Sequence, residues 1–106
     1  MFPDYAGTVL WYHDPVDYAE SGLDVDLVTD LQAWEADYYA GLQDYEWRDA
    51  ELERGWQRAG TALARRVARA IGDEFVVTCN GRRYRAAGAA LTPAAAQAFA
   101  ARAAAQ

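Results

Sequence analysis

The chain has 106 residues, with no lysine, one cysteine, one histidine and one serine, and each shortage closes a route to function. With Cys79 alone, no intrachain disulfide can form. The opening Met1-Phe2-Pro3-Asp4-Tyr5 lacks the basic start and apolar run of a signal peptide, which points to the cytoplasm. No window approaches the roughly 20 apolar residues of a membrane helix, and the alanine-rich tail is too weakly apolar to insert, so a soluble protein is expected. The missing lysine matches an Ala-, Gly-, Asp- and Val-rich composition of the kind a GC-rich coding sequence produces, which explains it more simply than arginine selected for phosphate recognition.

Nucleophilic and metal chemistry have few candidates. Cys79 falls on the apolar face of an expected hairpin and His13 at the end of a strand in another segment, so they read as a buried thiol and an exposed loop histidine rather than a pair. His13, Asp14 and Asp17 could offer one nitrogen and two oxygens, yet their spacing fits no defined ligand pattern and suits a turn with Asp14 as its side-chain acceptor. No catalytic residue, cofactor or metal follows from the sequence, and an enzyme is not expected.

What is present is charge, divided by position. Residues 1–53 hold fourteen of the sixteen carboxylates and one arginine, Arg48, whereas residues 54–106 hold nine arginines against Asp73 and Glu74, giving −13 followed by +7 and a net −6. Most of the tyrosine and tryptophan lies in the acidic half, the chemistry of a surface that meets a cationic partner. The length fits a single domain over 1–106, with 1–7 and 100–106 as candidate flexible ends. A domain of this size buries about 65% of its unfolded surface, enough for one core.

Hydropathy patterning gives an α+β order, β-α-α-β-β-α, with a helical hairpin packed on a small antiparallel sheet. Thr8-Val9-Leu10-Trp11-Tyr12 reads as a strand that His13-Asp14-Pro15 ends. Leu23, Leu27, Leu31, Trp34, Tyr38, Leu42 and Tyr45 recur at helical spacing, with Asp24 or Asp26 as the cap. A second helical pattern runs through Leu52, Trp56, Leu63, Val67 and Ile71 to a stop at Gly72. A helical hairpin turning within 44–51 is the first reading of 24–71 and one long bent helix the alternative, since no proline separates the patterns. Phe75 to Cys79, Asn80-Gly81 and Arg82 to Ala86 form a hairpin signal, pairing 79 with 82, 77 with 84 and 75 with 86. Thr92-Pro93 opens an alanine-rich helix whose only large apolar residue is Phe99, which makes it a weakly held element.

Helical placement at 100° per residue puts Asp26, Asp30, Asp37 and Asp44 at about 260° to 300°, one stripe beside the apolar seam of the first helix. Arg54, Arg58, Arg65 and Arg69 cluster opposite the seam of the second, facing away from those aspartates, and Arg83 and Arg85 project from the hairpin. A domain of this length is wider than the ~8 Å screening length, so a partner senses two poles rather than the mean charge.

Leu31-x-x-Trp34-x-x-x-Tyr38-x-x-x-Leu42 followed by Gly60-x-x-Leu63-Ala64-Arg65-Arg66 and Ile71-Gly72 resembles a pattern of small acidic proteins from GC-rich actinobacteria, over about residues 10–77. That resemblance carries no activity and no site residues. The reading that best fits the charge is a small protein-binding module, an inhibitor or immunity-type protein whose acidic, aromatic first helix covers a cationic site on a nuclease or other nucleic-acid-binding partner. Asp26, Asp30, Asp37 and Asp44 would match cationic groups, and Tyr18, Tyr39 and Trp47 would serve as anchors where exposed. Two alternatives remain. Direct nucleic-acid or phosphate binding would use Arg54, Arg58, Arg65, Arg69, Arg82, Arg83 and Arg85 with Tyr84 stacking, against the net charge. Self-association would set the acidic face of one copy on the arginine face of another.

Overall fold

A computed structural model describes residues 1–105, an α+β domain of 39 × 25 × 24 Å built on a helical hairpin. Helix α1 (Val25–Gly41) and helix α2 (Ala50–Ile71) are its two long elements. Three two-stranded antiparallel ribbons surround them: β1 (Trp11–Tyr12) with β2 (Asp14–Pro15), β3 (Leu42–Gln43) with β4 (Glu46–Trp47), and β5 (Val77–Cys79) with β6 (Arg82–Tyr84). Helix α3 (Pro93–Ala105) closes the order. Among the described residues no helix is long and apolar enough to cross a membrane.

The two long helices are separate, which settles the choice over 24–71 in favour of the hairpin. Asp24 is the extended residue before α1, and its carbonyl accepts the Val28 N–H at 3.0 Å. Leu27, Leu31 and Trp34, spaced at four and three, are the large side chains that α1 buries. The helix stops at Gly41 because Trp47 folds back over it; a Cβ on residue 41 would overlap the indole ring. Asp44 and Tyr45, with φ of 53° and 67°, then form the two-residue mirror-type turn joining β3 to β4. The helical spacing of Leu42 and Tyr45 is therefore coincidental. Asp49 begins α2 by accepting the Glu51 N–H at 2.7 Å, and Gly72, at φ 88°, ends it by donating to the Ala68 carbonyl.

Between the helices lies a reciprocal tryptophan pair. The Trp34 and Trp56 rings stack with centroids 4.3 Å apart and planes 3° from parallel. Each indole N–H donates to the other residue's backbone carbonyl at 2.9 Å, so neither buried donor is orphaned. Gly60 is the space that lets Trp34 lie flat: a Cβ there would sit 2.7 Å from the indole Cζ2. Gly60→Ala is therefore expected to lower stability by about 1–3 kcal/mol, although alanine is the better helix former, and urea unfolding measures it. A gain in stability would show that the tryptophan stack is loosely fitted.

The second hairpin keeps the expected register, Val77 opposite Tyr84 and Cys79 opposite Arg82, with Asn80 and Gly81 at φ 51° and 78°. It stops one pair early, since Phe75 packs instead on Phe99 at 6.2 Å. The first expected strand is likewise shorter. Thr8, Val9 and Leu10 are buried, but only Trp11 and Tyr12 pair, around His13 at φ 64°. Residues 1–7 have no regular structure yet are attached: Phe2 N–H donates to the Val9 carbonyl at 2.8 Å, and Met1 donates to Thr78 at 2.6 Å. The C-terminal helix, expected to be weakly held, is seated more firmly. Ala95 and Phe99 are buried, Arg102 pairs with Glu20 at 2.9 Å, and Gly22 admits the Ala94 backbone.

Candidate functional site

The aspartate stripe divides into two electrostatic environments. Asp26, Asp30 and Asp37 are exposed along α1, but Asp44 leaves the line because the helix ends three residues before it. Arg66 on α2 pairs with Asp30 at 2.6 Å. Asp26 shares a groove of about 540 Å³ with Arg66 and Arg69. Arg69, expected to face away from the first helix, thus lies on the aspartate side, where Asp30 is paired and Asp26 shares its groove with two arginines.

The opposite end is not. Around the α1–α2 connection, Asp37, Asp44, Glu46, Asp49, Glu51 and Glu53 gather against one arginine, Arg48, within residues 37–53. Glu51 is engaged by Arg54, and Asp49 is used as a helix cap. Among the described residues Asp37, Asp44, Glu46 and Glu53 make no ion pair. Of these four, Asp37 lines a groove of about 420 Å³, together with Trp47, Arg48, Glu51, Leu52 and Trp56. Leu52, in its lining, is 43% exposed, and Tyr45, at the tip of the turn, is 87% exposed. The groove thus sets two tryptophans and a leucine beside one unpaired carboxylate, Asp37, and one arginine, Arg48.

The three expected anchors separate in the same way. Trp47 forms the wall of this groove, half-buried against Tyr38 and Trp56. Tyr39 accepts the Tyr5 N–H at 2.7 Å on its hydroxyl, and the two rings pack at a tilt of 35° with centroids 4.8 Å apart. Tyr18 is committed to the fold: its hydroxyl accepts the buried Val9 N–H at 3.1 Å and donates to Glu35 at 3.0 Å. Burial pushes the Tyr18 phenol well above its ordinary pKa, with the neighbouring Glu35 carboxylate adding to the shift. A phenol whose pKa is raised by folding contributes stability that is complete below about pH 10 and lost as the pH rises beyond it. Tyr18→Phe is expected to lose about 1–3 kcal/mol at pH 7 by orphaning Val9 N–H. Urea titrations at pH 7 and pH 11 check this, and the deficit should shrink at the higher pH.

Tyr45 and Leu52 were placed by the sequence in the buried seams, and the structure turns both outward. The signal that finds Tyr45 is Gly41, after which the helical count no longer applies.

On the far side of α2, Arg54, Arg58 and Arg82 meet in a groove of about 490 Å³ with Thr61, Asn80 and Tyr84. The Arg65 guanidinium lies 5.8 Å from the Tyr84 ring centroid. Arg83 and Arg85 are exposed on the hairpin and beyond it. Cys79 is buried, its thiol pushed up by burial and facing the Gly60 carbonyl at 3.8 Å, while His13 is an exposed turn residue against Tyr12. A protonated buried thiol is a packing group rather than a nucleophile. Among the described residues no three His, Cys, Asp or Glu side chains converge as metal ligands.

No curated protein and no solved structure matches the chain. A family model described as Serratia CdiI immunity protein-like matches residues 1–81, which include both long helices and the acidic turn between them.

Proposed function

The chain belongs to the Serratia CdiI immunity protein-like family, and we propose that it seats the acidic turn between α1 and α2 on a cationic site of the toxin it neutralises. It is an immunity-type inhibitor that acts by binding a partner protein. The observation that carries the choice of surface is the contrast between the two ends of the helical hairpin: Asp30 is paired with Arg66, whereas Asp37, Asp44, Glu46 and Glu53 make no ion pair among the described residues and lie in the segment that holds the exposed Tyr45 and Leu52. Carboxylates left unpaired around Tyr45, Trp47 and Leu52 suit lysine and arginine side chains of the kind a nucleic-acid-acting enzyme uses to hold phosphates. We read the partner as such an enzyme, with its substrate-binding cations covered in the complex.

The turn also suits rapid capture. Electrostatic complementarity raises association rates from about 10⁵–10⁶ M⁻¹s⁻¹ towards 10⁸–10⁹ M⁻¹s⁻¹, which an inhibitor of a toxin requires.

The test compares the two halves of the stripe in cells producing the toxin. Asp37→Asn/Asp44→Asn/Glu46→Gln should abolish or sharply reduce growth protection, while Asp26→Asn should retain it. Each change is at an exposed site, so stability should move by no more than about 0.5 kcal/mol per residue. Equal protection by both variants would refute the proposed surface.

A further inference from the structure

The arginine groove on the far side of α2 is only partly committed within the fold: Arg54 pairs with Glu51, and the Tyr84 hydroxyl donates to Thr61 at 3.2 Å. Arg54 and Arg58 stand one turn apart on α2, where like charges repel, and Arg82 reaches the same groove from the hairpin. Among the described residues neither Arg58 nor Arg82 has a carboxylate within ion-pair distance, although the chain carries sixteen of them. Thr61 and Asn80 add neutral donors to the lining. Guanidinium groups are planar forks that match the paired oxygens of a carboxylate or phosphate. The groove is built for an anionic group.

Its position selects the source of that anion. Glu51, Leu52 and Trp56 line the acidic groove, while Arg54, Gln57 and Arg58 line this one, so the two sites flank the same N-terminal turns of α2. A helix is about 10–12 Å across, roughly one and a half times the ~8 Å screening length at physiological salt, so any chain long enough to leave the arginine groove comes within reach of the acidic one. A nucleic-acid strand, negative along its whole length, would be repelled by the neighbouring carboxylates. A folded protein that presents both signs would not.

We infer that the groove of Arg58 and Arg82 receives an acidic segment of the same toxin, whose docking face therefore pairs a cationic site against the acidic turn with a carboxylate-bearing segment on the other side of α2. This rests on the acidic turn being the toxin-binding surface. Two opposed charge pairs fix the orientation of docking, which a single acidic patch cannot do.

The experiment uses the full chain and the purified toxin domain whose growth arrest it relieves. Arg58→Gln/Arg82→Gln is expected to raise the Kd by about tenfold or more, mainly through faster dissociation, with an unchanged thermal midpoint. An unchanged Kd overturns the inference. So does salt-dependent binding of a fluorescein-labelled single-stranded 20-mer that disappears in the same variant, since that assigns the groove to nucleic acid. Asp37→Asn/Asp44→Asn/Glu46→Gln is measured alongside. If it weakens binding while Arg58→Gln/Arg82→Gln does not, the acidic surface stands and the arginine contact fails. If it has no effect, the acidic surface itself fails.

Discussion

Tyr45→Gly is expected to leave the domain at least as stable as the native chain while weakening its hold on the toxin by about 30-fold or more. Tyr45 sits at φ 67° beside Asp44 at φ 53°, a region where a side chain other than glycine costs about 1–2 kcal/mol. Its side chain is 87% exposed and recovers little of that cost by burial. A large aromatic held in a strained turn, rimmed by carboxylates and unused by the core, has the properties of an interface anchor. Glycine relieves the strain and deletes the ring, so stability and affinity should move in opposite directions. Thermal unfolding and titration calorimetry measure the two. Tyr45→Ala, which keeps the backbone cost, should lose affinity equally. A glycine variant with native affinity would remove Tyr45 from the interface, and one that unfolds would show that the ring supports the turn.

Trp34→Ala is expected to have the largest effect on the fold. Trp34 is 2% exposed, stacked on Trp56 and tied to its carbonyl. Truncating a buried tryptophan costs about 3–5 kcal/mol, a large share of the roughly 5–15 kcal/mol that holds such a domain together. That loss should lower the thermal midpoint by about 15–30 °C. The reciprocal bond from the Trp56 indole goes to the backbone carbonyl of residue 34 and survives the substitution, so the loss is the stack, one hydrogen bond and the filled volume. Trp34→Phe keeps a six-membered ring in the stack and loses the second ring together with its N–H donor. It should cost about 1 kcal/mol and retain toxin binding. Equal losses for the two variants would mean that the hydrogen bond, not the stack, clamps the helices. Since that clamp sets the angle at which α1 and α2 meet the turn, it also sets the shape of the groove beneath Trp47.

Elements governed by local rules were legible in the sequence. Asn80-Gly81 specified both the turn and the register of its hairpin, because only residues that accept positive φ close a two-residue loop without strain. Gly72 stopped α2 where expected, and Thr92-Pro93 opened α3. The turn between α1 and α2 falls within the expected 44–51, but the end of α1 was not legible. Leu42 and Tyr45 continue the helical spacing by chance, and the turn uses Asp44-Tyr45 where asparagine and glycine are the usual signal. The features that end α1 are tertiary: Trp47 covering Gly41, and Asp49 capping the next helix.

That one error propagated into the candidate site. Counting 100° per residue past Gly41 put Asp44 in line with Asp26 and Tyr45 in the core, when both belong to an exposed turn. The pairing of Asp30 with Arg66 joins residues 36 apart in sequence and needed the packing of α1 on α2 to be known. What composition did show is the acidic, aromatic half itself. In the structure the carboxylates of that half without an ion pair include Asp37, Asp44, Glu46 and Glu53, near the end of the helical hairpin.

The most direct test is the association rate with the toxin domain, followed by stopped-flow tryptophan fluorescence as ionic strength rises from about 0.01 M to 1 M, over which the screening length falls from about 30 Å to 3 Å. The native chain should associate fastest at low salt and slow steadily. Asp37→Asn/Asp44→Asn/Glu46→Gln should be about tenfold slower or more at low salt, depend less on salt, and converge with the native rate at the upper end. Identical rates and identical salt slopes for the two proteins would contradict the assignment of the acidic turn as the toxin-binding surface.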